Sequence, residues 1–269
     1  MRLAVVGAAG RMGACVLRLA REAGDITIVG ASDAPGSPNA GRDVGESVGI
    51  GTVGVALSED PGAAMLGADV VIDFSAPVAT TAVAKAVAAE GVAWVCGTTG
   101  LDDASLRALD AAARKAPVLW SPNMSLGVQV LAELVRDAVA RLGGGFDVEI
   151  VETHHRKKVD APSGTAKRLA EAAREGRAHL RDVHGREGIV GARKADEMAV
   201  LAVRGGDVIG DHTVHLLGDG ERLELTHRAT SRDLFAHGAI RAARFLAGKP
   251  AGRYTLRDVM DAAPAPELH

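Results

Sequence analysis

The chain has 269 residues, 47% hydrophobic and 24% charged, a composition typical of a globular protein of about two domains. A net charge of −3 and only 3% aromatic residues argue against a nucleic-acid surface or an attraction to anionic membranes. Two cysteines cannot form a disulfide framework, which fits a reducing compartment. Because no leader-like segment precedes the first strand, and the Ala/Val-rich stretch 78–97 carries Lys85 and Glu90, we expect a cytoplasmic protein without a membrane span.

Short apolar runs alternate with helical segments in the first half of the chain. Strands are predicted at Leu3–Val6, Ile26–Ala31, Val70–Phe74, Trp94–Cys96 and Val118–Trp120. Helices are predicted after the first strand through Arg21, and at Thr80–Glu90 and Ala104–Lys115. This alternation predicts an α/β fold with a doubly wound parallel sheet and helices on both faces.

The pattern changes in the second half. A helix is predicted from Val128 to Leu142, and then a strand, a helix and three further strands at Val148–Thr153, Thr165–Glu175, Met198–Val203, Thr213–Leu217 and Leu223–Thr226. The polar segment 177–197 reads as a long loop, and a helix at Leu234–Leu246 is expected to return to the first domain. We therefore expect residues 1–125 plus 235–269 to form one domain, and residues 126–234 to form a second, α+β domain.

A glycine-rich turn, G-x-x-G-x-x-G, joins the first strand to the first helix. It comprises Gly7, Ala8, Ala9, Gly10, Arg11, Met12 and Gly13. Glycine lets the backbone approach a pyrophosphate, and the helix N-terminus offers N–H groups to it. Asp33, 20 residues after Gly13, is placed to accept hydrogen bonds from the adenosine ribose. Together these features predict a Rossmann domain that binds a nicotinamide dinucleotide; the alternative is a turn that only packs the helix against the strand.

Two later strand ends carry small and polar residues, as expected for loops at the same site. The first comprises Gly97, Thr98 and Thr99, and the second Pro122, Asn123, Met124 and Ser125. Ligands of open α/β sheets bind at the carboxyl ends of the strands, so we interpret these loops as facing the nicotinamide. The alternative is a pair of ordinary turns.

The segment from Glu152 to Thr165 combines two histidines, three cations and a Pro-Ser-Gly-Thr turn that opens a helix. If the strand continues through His155, His154 and His155 point to opposite faces and have different roles. Cations beside a helix N-terminus predict a site for an anionic substrate, such as a dicarboxylate, and Lys158 is a candidate proton donor. The alternative is a solvated basic loop.

Metal and cysteine chemistry are not expected. There is no Cys pair, and His212 and His215, three apart on a predicted strand, face opposite ways. Cys15 follows the glycine turn in a helix and Cys96 ends an apolar strand, so both are interpreted as small hydrophobic residues and not as nucleophiles.

The motif E-x-H-H-x-x-K-x-D-A-P-S-G-T-A at 152–166 resembles the signature of the 4-hydroxy-tetrahydrodipicolinate reductase family, formerly called dihydrodipicolinate reductase. G-x-x-G-R-M-G at 7–13, G-T-T-G at 97–100 and P-N-M-S at 122–125 are also similar to that family, as are segments 204–213 and 225–232. The resemblance spans almost the whole chain. The His-His segment is highly specific, whereas the glycine turn alone is not.

The resemblance implies NADH- or NADPH-dependent reduction of 4-hydroxy-tetrahydrodipicolinate to tetrahydrodipicolinate, with loss of water, on the diaminopimelate route to lysine. It implies His154 as proton donor or acceptor, Lys158 as proton donor, and His155, Gly164 and Thr165 as substrate contacts. The implied cofactor contacts are Gly7 to Met12, Asp33, Gly97 to Thr99 and Pro122 to Ser125. It also implies a homotetramer built by the second domain.

One departure bears on the cofactor. Some relatives place Arg directly after the ribose-binding acidic residue, where it meets the 2′-phosphate of NADPH, whereas this chain has Ala34. We therefore expect NADH to be used at least as well as NADPH, although Arg11 is placed to substitute in part.

Two other functions remain open from the residues alone. A different Rossmann amino-acid or semialdehyde dehydrogenase is one, and the semialdehyde enzyme would need an exposed, reactive cysteine. A non-catalytic nucleotide-sensing module is the other. Such a module would keep the glycine turn but would have no use for His154 and Lys158 beside a helix N-terminus.

Overall fold

The computed structural model describes residues 1–262 and divides into two compact units. The first comprises Met1–Ser125 and the chain from Asp233 onward, and the second comprises Leu126–Arg232. The second unit thus ends two residues before the boundary expected at residue 234. Residues 263–269 of the range expected to belong to the first domain lie outside the described residues.

The first unit is built on a parallel sheet. Its strands are β1 (Arg2–Val6), β2 (Thr27–Ser32), β3 (Leu57–Ser58), β4 (Val70–Asp73), β5 (Ala93–Cys96), β6 (Pro117–Trp120) and β12 (Gly252–Tyr254). They lie in the order β12-β6-β5-β4-β1-β2-β3, and every pair is parallel. The chain changes direction between β1 and β4, which is the switch point where a Rossmann sheet opens its ligand crevice.

Helices flank this sheet. They are α1 (Arg11–Glu22), α2 (Val44–Ser47), α3 (Pro61–Met65), α4 (Thr80–Glu90), α5 (Asp103–Ala113), α8 (Asp233–Leu246) and α9 (Leu256–Asp261), with a 3₁₀ turn at Pro77–Ala79. Local sequence sets their ends: the Asp102 side chain accepts the N–H of Ser105 at the start of α5, and Gly91 ends α4 in a left-handed conformation. Trp94 and Leu109 are fully buried in the core on one side of the sheet.

The second unit contains a mixed sheet in the order β11-β10-β7-β9-β8. Its elements are α6 (Leu126–Leu142), a 3₁₀ turn (Gly143–Gly145), β7 (Asp147–His154), α7 (Gly164–Gly176), β8 (Arg181–Val183), β9 (Glu197–Arg204), β10 (Gly210–Gly218) and β11 (Glu221–Ala229). Strand β10 is antiparallel to β7 and β11, whereas β7 and β8 are parallel to β9. Alternate residues of β7 are buried, and Val148 and Ile150 form the core with residues of α6 and α7.

The expected loop over 177–197 is wrong in part, because Arg181–Val183 forms the edge strand β8. These three residues are largely exposed and carry no alternating pattern; the strand exists because β9 supplies parallel partners. Strand β12 and the short elements α2, β3, α3 and α9 were likewise not predicted. No helix within residues 1–262 is long and apolar enough to cross a membrane.

Candidate active site

The glycine turn after β1 is shaped by backbone contacts. The N–H groups of Gly7 and Ala8 donate to the Ser32 carbonyl at 2.9 and 3.0 Å. Gly7 has φ +74°, and a Cβ there would lie 2.7 Å from the Phe74 carbonyl oxygen. A Cβ on Gly13 would lie 2.2 Å from the Gly7 oxygen. A side chain at either position would force the turn open, so both glycines are required for the close approach of backbone to backbone.

Asp33 joins this turn to the end of β2. One carboxylate oxygen accepts the N–H of Ala9 at 2.7 Å, and the other accepts the N–H of Ala34 at 2.7 Å. A cavity of about 410 Å³ opens here, lined by Ala9, Gly10, Asp33, Ala34, Pro35, Gly36, Ser37, Pro38 and Asn39. None of these described lining residues is basic, and the N–H of Gly36 donates to the Glu59 carboxylate. The cavity wall therefore carries negative charge, and the exposed Arg11 is not among the residues that line the cavity.

The ends of β4 and β5 meet closely at the same edge of the sheet. A Cβ on Gly97 would lie 2.2 Å from the Phe74 ring, so only glycine fits there. Thr98 is buried, its carbonyl accepts the Trp120 indole N–H at 3.0 Å, and Thr99 is exposed. Beneath them, burial raises the pKa of the Asp73 carboxyl, which accepts the N–H of Ser75. The Gly97–Thr99 loop is thus held against the turn that follows β4.

The loop after β6 is also ordered by its own side chains. The Ser121 hydroxyl donates to the Asn123 carbonyl at 2.7 Å, and the Asn123 side chain accepts the N–H of Ser125 at 2.9 Å. Met124 and Ser125 are buried, whereas Pro122 is exposed. A Cβ on Gly238 would lie 1.8 Å from the Met124 oxygen, so α8 packs directly on this loop. All three predicted cofactor-binding segments lie at the carboxyl edge of the parallel sheet.

In the second unit, a fully buried carboxylate organises the candidate catalytic residues. Glu152 Oε2 accepts His154 Nδ1 at 2.6 Å and Arg204 Nη1 at 2.6 Å. Glu152 Oε1 accepts the N–H of Ser163 at 3.0 Å and Arg204 Nη2 at 2.8 Å. Burial favours the neutral acid, but these hydrogen bonds lower the pKa of Glu152, so the group is a carboxylate.

His154 is 8% exposed and ends β7. Burial lowers the pKa of His154 below its ordinary value, with Glu152 acting in the opposite direction. The neutral ring therefore carries its proton on Nδ1, toward the carboxylate, and leaves Nε2 able to accept a proton. A Cβ on Gly210 would lie 2.9 Å from Nε2, so the absence of a side chain at Gly210 keeps that nitrogen accessible.

The strand does not continue through His155, so the expected alternation of the two histidines does not apply. His155 lies in the turn after β7 and is half-buried, and its N–H donates to the Val208 carbonyl at 2.7 Å. Lys158 lies in the same turn, and its Nζ donates to Asp160 at 2.7 and 3.0 Å. Arg204 also holds this loop by donating to the Asp160 carbonyl at 2.7 Å. Lys158 thus has a carboxylate partner and is not surrounded only by cations.

The helix α7 begins at the predicted substrate contacts. The Ser163 hydroxyl accepts the N–H of Ala166 at 3.1 Å and is 3.0 Å from His212 Nε2. Gly164 is exposed with open space around its Cα, and Thr165 follows it in the first turn. This 13-residue helix presents the N–H groups of its first turn, the geometry that binds anions.

His212 lies on β10 opposite Glu152 and packs edge-on against His154, with ring centroids 5.1 Å apart. Burial lowers the pKa of His212 to about 4, so this ring is neutral near pH 7. Glu152, Arg204, Ser163 and His212 were not predicted as site residues. The sequence does contain one indication of this network. In the alternating strand D-V-E-I-V-E-T-H, Glu152 falls on the buried face, where a charged side chain requires a partner.

The two cysteines differ in burial, and the histidines of β10 lie on different faces of the sheet. Cys96 is fully buried and burial raises the pKa of its thiol, which is the opposite of an activated nucleophile, whereas Cys15 on α1 is only partly buried. His212 is buried while His215 lies on the other face of β10, as expected. Within residues 1–262, His, Cys, Asp and Glu side chains form no group of three or more arranged to hold a metal ion.

Comparison with known proteins identifies the family. Two models match, "Dihydrodipicolinate reductase, N-terminus" over residues 1–124 and "Dihydrodipicolinate reductase, C-terminus" over residues 127–260. A 4-hydroxy-tetrahydrodipicolinate reductase of Anaeromyxobacter dehalogenans (strain 2CP-1 / ATCC BAA-258) is 50% identical over 262 residues, covering 96% of this chain and 97% of the relative. Its counterpart in Anaeromyxobacter sp. (strain Fw109-5) is 50% identical over 265 residues, covering 97% of each.

Among solved structures, a dipicolinate-bound dihydrodipicolinate reductase from Paenisporosarcina sp. TG-14 has the same fold. Its TM-score is 0.76 at 23% identity, covering 95% of this chain and 97% of that one. The sequence matches extend through both units and agree with the resemblance carried by residues 152–166. The chain belongs to the dihydrodipicolinate reductase family, oxidoreductases that use a pyridine nucleotide.

Proposed function

We propose that this chain reduces 4-hydroxy-tetrahydrodipicolinate to tetrahydrodipicolinate, with loss of water, in the diaminopimelate route to lysine. Family membership supports the reaction, and one observation supports its placement in the second unit. The imidazole of His154 and the open N-terminus of α7 are tied to the same buried carboxylate, Glu152. A proton-transferring group and an anion-binding turn are the two features that a dicarboxylate substrate requires.

The first unit is proposed to bind the pyridine nucleotide. The residues present fit a dinucleotide. A Cβ at Gly7 or Gly13 would clash with neighbouring backbone, and the Asp33 carboxylate, which can accept hydrogen bonds from ribose hydroxyls, borders a cavity. The pyrophosphate is assigned to the turn Gly7–Met12 and the N-terminus of α1, and the nicotinamide end to the Gly97–Thr99 and Pro122–Ser125 loops. The bound nucleotide supplies the hydride.

The second unit is proposed to bind the substrate and move the protons. The N–H groups of Gly164 and Thr165 receive one carboxylate, and His155 makes a further contact. Lys158 delivers the proton that accompanies the hydride, and His154 Nε2 accepts or returns a proton during loss of the hydroxyl as water. One hydride and one proton enter and one water leaves, so the reduction is balanced.

NADH is proposed to serve at least as well as NADPH. The Asp33 carboxylate would repel a 2′-phosphate, and Ala34 offers no cation to receive one. Glu59, bound to the N–H of Gly36, adds negative charge beside the cavity. We also infer a homotetramer, on the resemblance alone, which light scattering coupled to gel filtration would check against a monomer of 27.6 kDa.

The decisive assay supplies the substrate in situ from pyruvate and aspartate semialdehyde, condensed by the corresponding synthase. We expect NADH oxidation only when both precursors and the synthase are present. Oxidation with either precursor alone would indicate a different dehydrogenase. Binding of NADH without turnover in the complete mixture would indicate a nucleotide-sensing module.

A further inference from the structure

Glu152 accepts four hydrogen bonds from three residues but has no exposed surface, so it does not itself meet a ligand. These hydrogen bonds are divided evenly between its two oxygens. Each accepts one nitrogen of the Arg204 guanidinium, and each accepts one further donor: His154 Nδ1 on Oε2 and the Ser163 N–H on Oε1.

This division has a physical consequence. Arg204 neutralises a charge that would otherwise be very costly to bury, and its two-point contact fixes the carboxylate plane. With that plane fixed, the remaining lone pairs point in set directions. The imidazole of His154 and the backbone of Ser163 are therefore positioned by one rigid group, although they are nine residues apart in the chain.

We propose that Glu152 is a positioning residue that sets the tautomer of His154 and, at the same time, the geometry of the anion-binding turn Ser163–Thr165. The inference rests on the proposed function, because it concerns how the proton-transferring and carboxylate-binding groups are kept in register. A carboxylate is required for both tasks, since it accepts hydrogen bonds on both oxygens. An amide has one accepting oxygen, and its NH₂ group would face either His154 or Ser163 with a donor against a donor.

The charges around His154 predict the direction of a pH effect. Burial lowers the pKa of His154, Glu152 on the same strand raises it, and the cations Lys158 and Arg204 lower it further. His212 packs against the ring from β10. Among these groups, Glu152 is the one whose charge stabilises the protonated imidazole of His154, and replacing it with an uncharged residue removes that stabilisation. The limb of the pH–rate profile that reports His154 should then move to lower pH, by about one pH unit or more.

The experiment compares Glu152→Gln with Glu149→Gln. Glu149 is a matched control because it lies on β7, faces the other side of the sheet, and is likewise paired with arginine, in its case Arg186 and Arg193. For Glu152→Gln we expect kcat to fall at least tenfold, the affinity for dipicolinate to fall at least fivefold, and the pH limb to move as stated. The Kd for NADH should stay within twofold of the parent in both variants.

A second measurement does not depend on the stability of a variant. Nitrogen-15 NMR of the parent, with the His154 signals assigned by their loss in His154→Gln, should show the neutral ring protonated on Nδ1. A ring protonated on Nε2 overturns the proposal. So does a Glu152→Gln protein whose pH limb and dipicolinate affinity match those of Glu149→Gln, even if its melting temperature is lower.

The outcome also separates this inference from the proposed function. A parent protein that neither turns over the condensed precursors nor binds dipicolinate refutes the proposed function. A parent that does both, while Glu152→Gln behaves as the control does, refutes only the role of Glu152.

Discussion

The two units build their sites by different means. In the first, the proposed nucleotide site is formed by backbone that packs closely because Gly7, Gly13 and Gly97 have no side chains. In the second, the proposed substrate site is supported by a buried network of side chains from β7, β9, β10 and the start of α7. A site formed by backbone can be recognised in the sequence as a short run of glycines. A site formed by side chains from several strands depends on the register in which those strands pair.

The largest expected effect falls on the side-chain site alone. Lys158→Met should reduce kcat by about 10²–10⁴-fold, the usual contribution of a general acid. NADH binding, measured by fluorescence titration, should be unchanged because the substitution is in the second unit. Lys157→Met, one residue away and exposed, is the control for loss of a positive charge in the same loop. Turnover of Lys158→Met within a few-fold of this control would remove Lys158 from the mechanism.

The buried network also predicts how stability depends on pH. The pKa of His212 is about 4 in the folded protein, below the ordinary value of 6.5, so its contribution is fully present above pH 6.5. That stability is lost as the pH falls toward 4, because the unfolded chain binds the proton more tightly, and the loss amounts to at most about 3 kcal/mol.

Urea unfolding of the parent and His212→Gln between pH 7.5 and pH 4.5 tests this. His154 and His227, whose pKa values burial also lowers, contribute in the same direction in both proteins, so the difference in slope reports His212 together with its coupling to these two rings. His215→Gln, on the opposite face of β10, is the control. Parallel stability curves for parent and His212→Gln would contradict the buried, neutral state of this ring.

In the proposed nucleotide site of the first unit, the test is to add a positive charge. Ala34→Arg should shift preference toward NADPH by about 1.5–3 kcal/mol, because a guanidinium at the cavity wall can bind the 2′-phosphate. The ratio of kcat/KM for the two cofactors measures it. Ala40→Arg, exposed and outside the cavity lining, adds the same charge without the contact. A parent that prefers NADPH tenfold, equivalent to about 1.4 kcal/mol, would contradict our interpretation of Asp33 and Ala34.

The smallest effect is expected where the second unit also uses backbone. Gly164→Val should raise the substrate KM about tenfold, or about 1.4 kcal/mol, by covering the N–H groups at the start of α7. Its Cβ would meet no neighbour within 4 Å, so the fold should tolerate the change. Gly145→Val, at an equally open position in the same unit, is the control. Dipicolinate inhibition equal in both variants would place the carboxylate elsewhere.

The same contrast explains what could be predicted from sequence. Helix α4 was predicted at its observed bounds, Thr80–Glu90, and five strands of the first sheet, β1, β2, β4, β5 and β6, to within one residue at each end, because local periodicity and a Gly or Pro boundary define them. The edge strand β8 was missed because its pairing with β9, and not its sequence, defines it.

The buried network was missed for a related reason. Arg204 is 52 residues from Glu152 in the chain. His212 lies opposite Glu152 only because β7 and β10 pair in an antiparallel register. Neither relation is visible in a local pattern. The motif at 152–166 drew attention to His154 and Lys158, but it does not say which cation neutralises Glu152.

The division of the chain has a consequence for the order in which it is made. The first unit is interrupted: α8 and β12 follow the whole of the second unit, yet α8 packs against α1 and the central strands, and Arg244 pairs with Asp25 across 219 residues. These contacts cannot form until the second unit has been synthesised, and closing the first unit across it carries an entropic cost that grows slowly with the length of the insertion. The second unit, by contrast, has its strands in one uninterrupted stretch. On a ribosome, therefore, the nucleotide-binding unit is the first to emerge and the last to be completed.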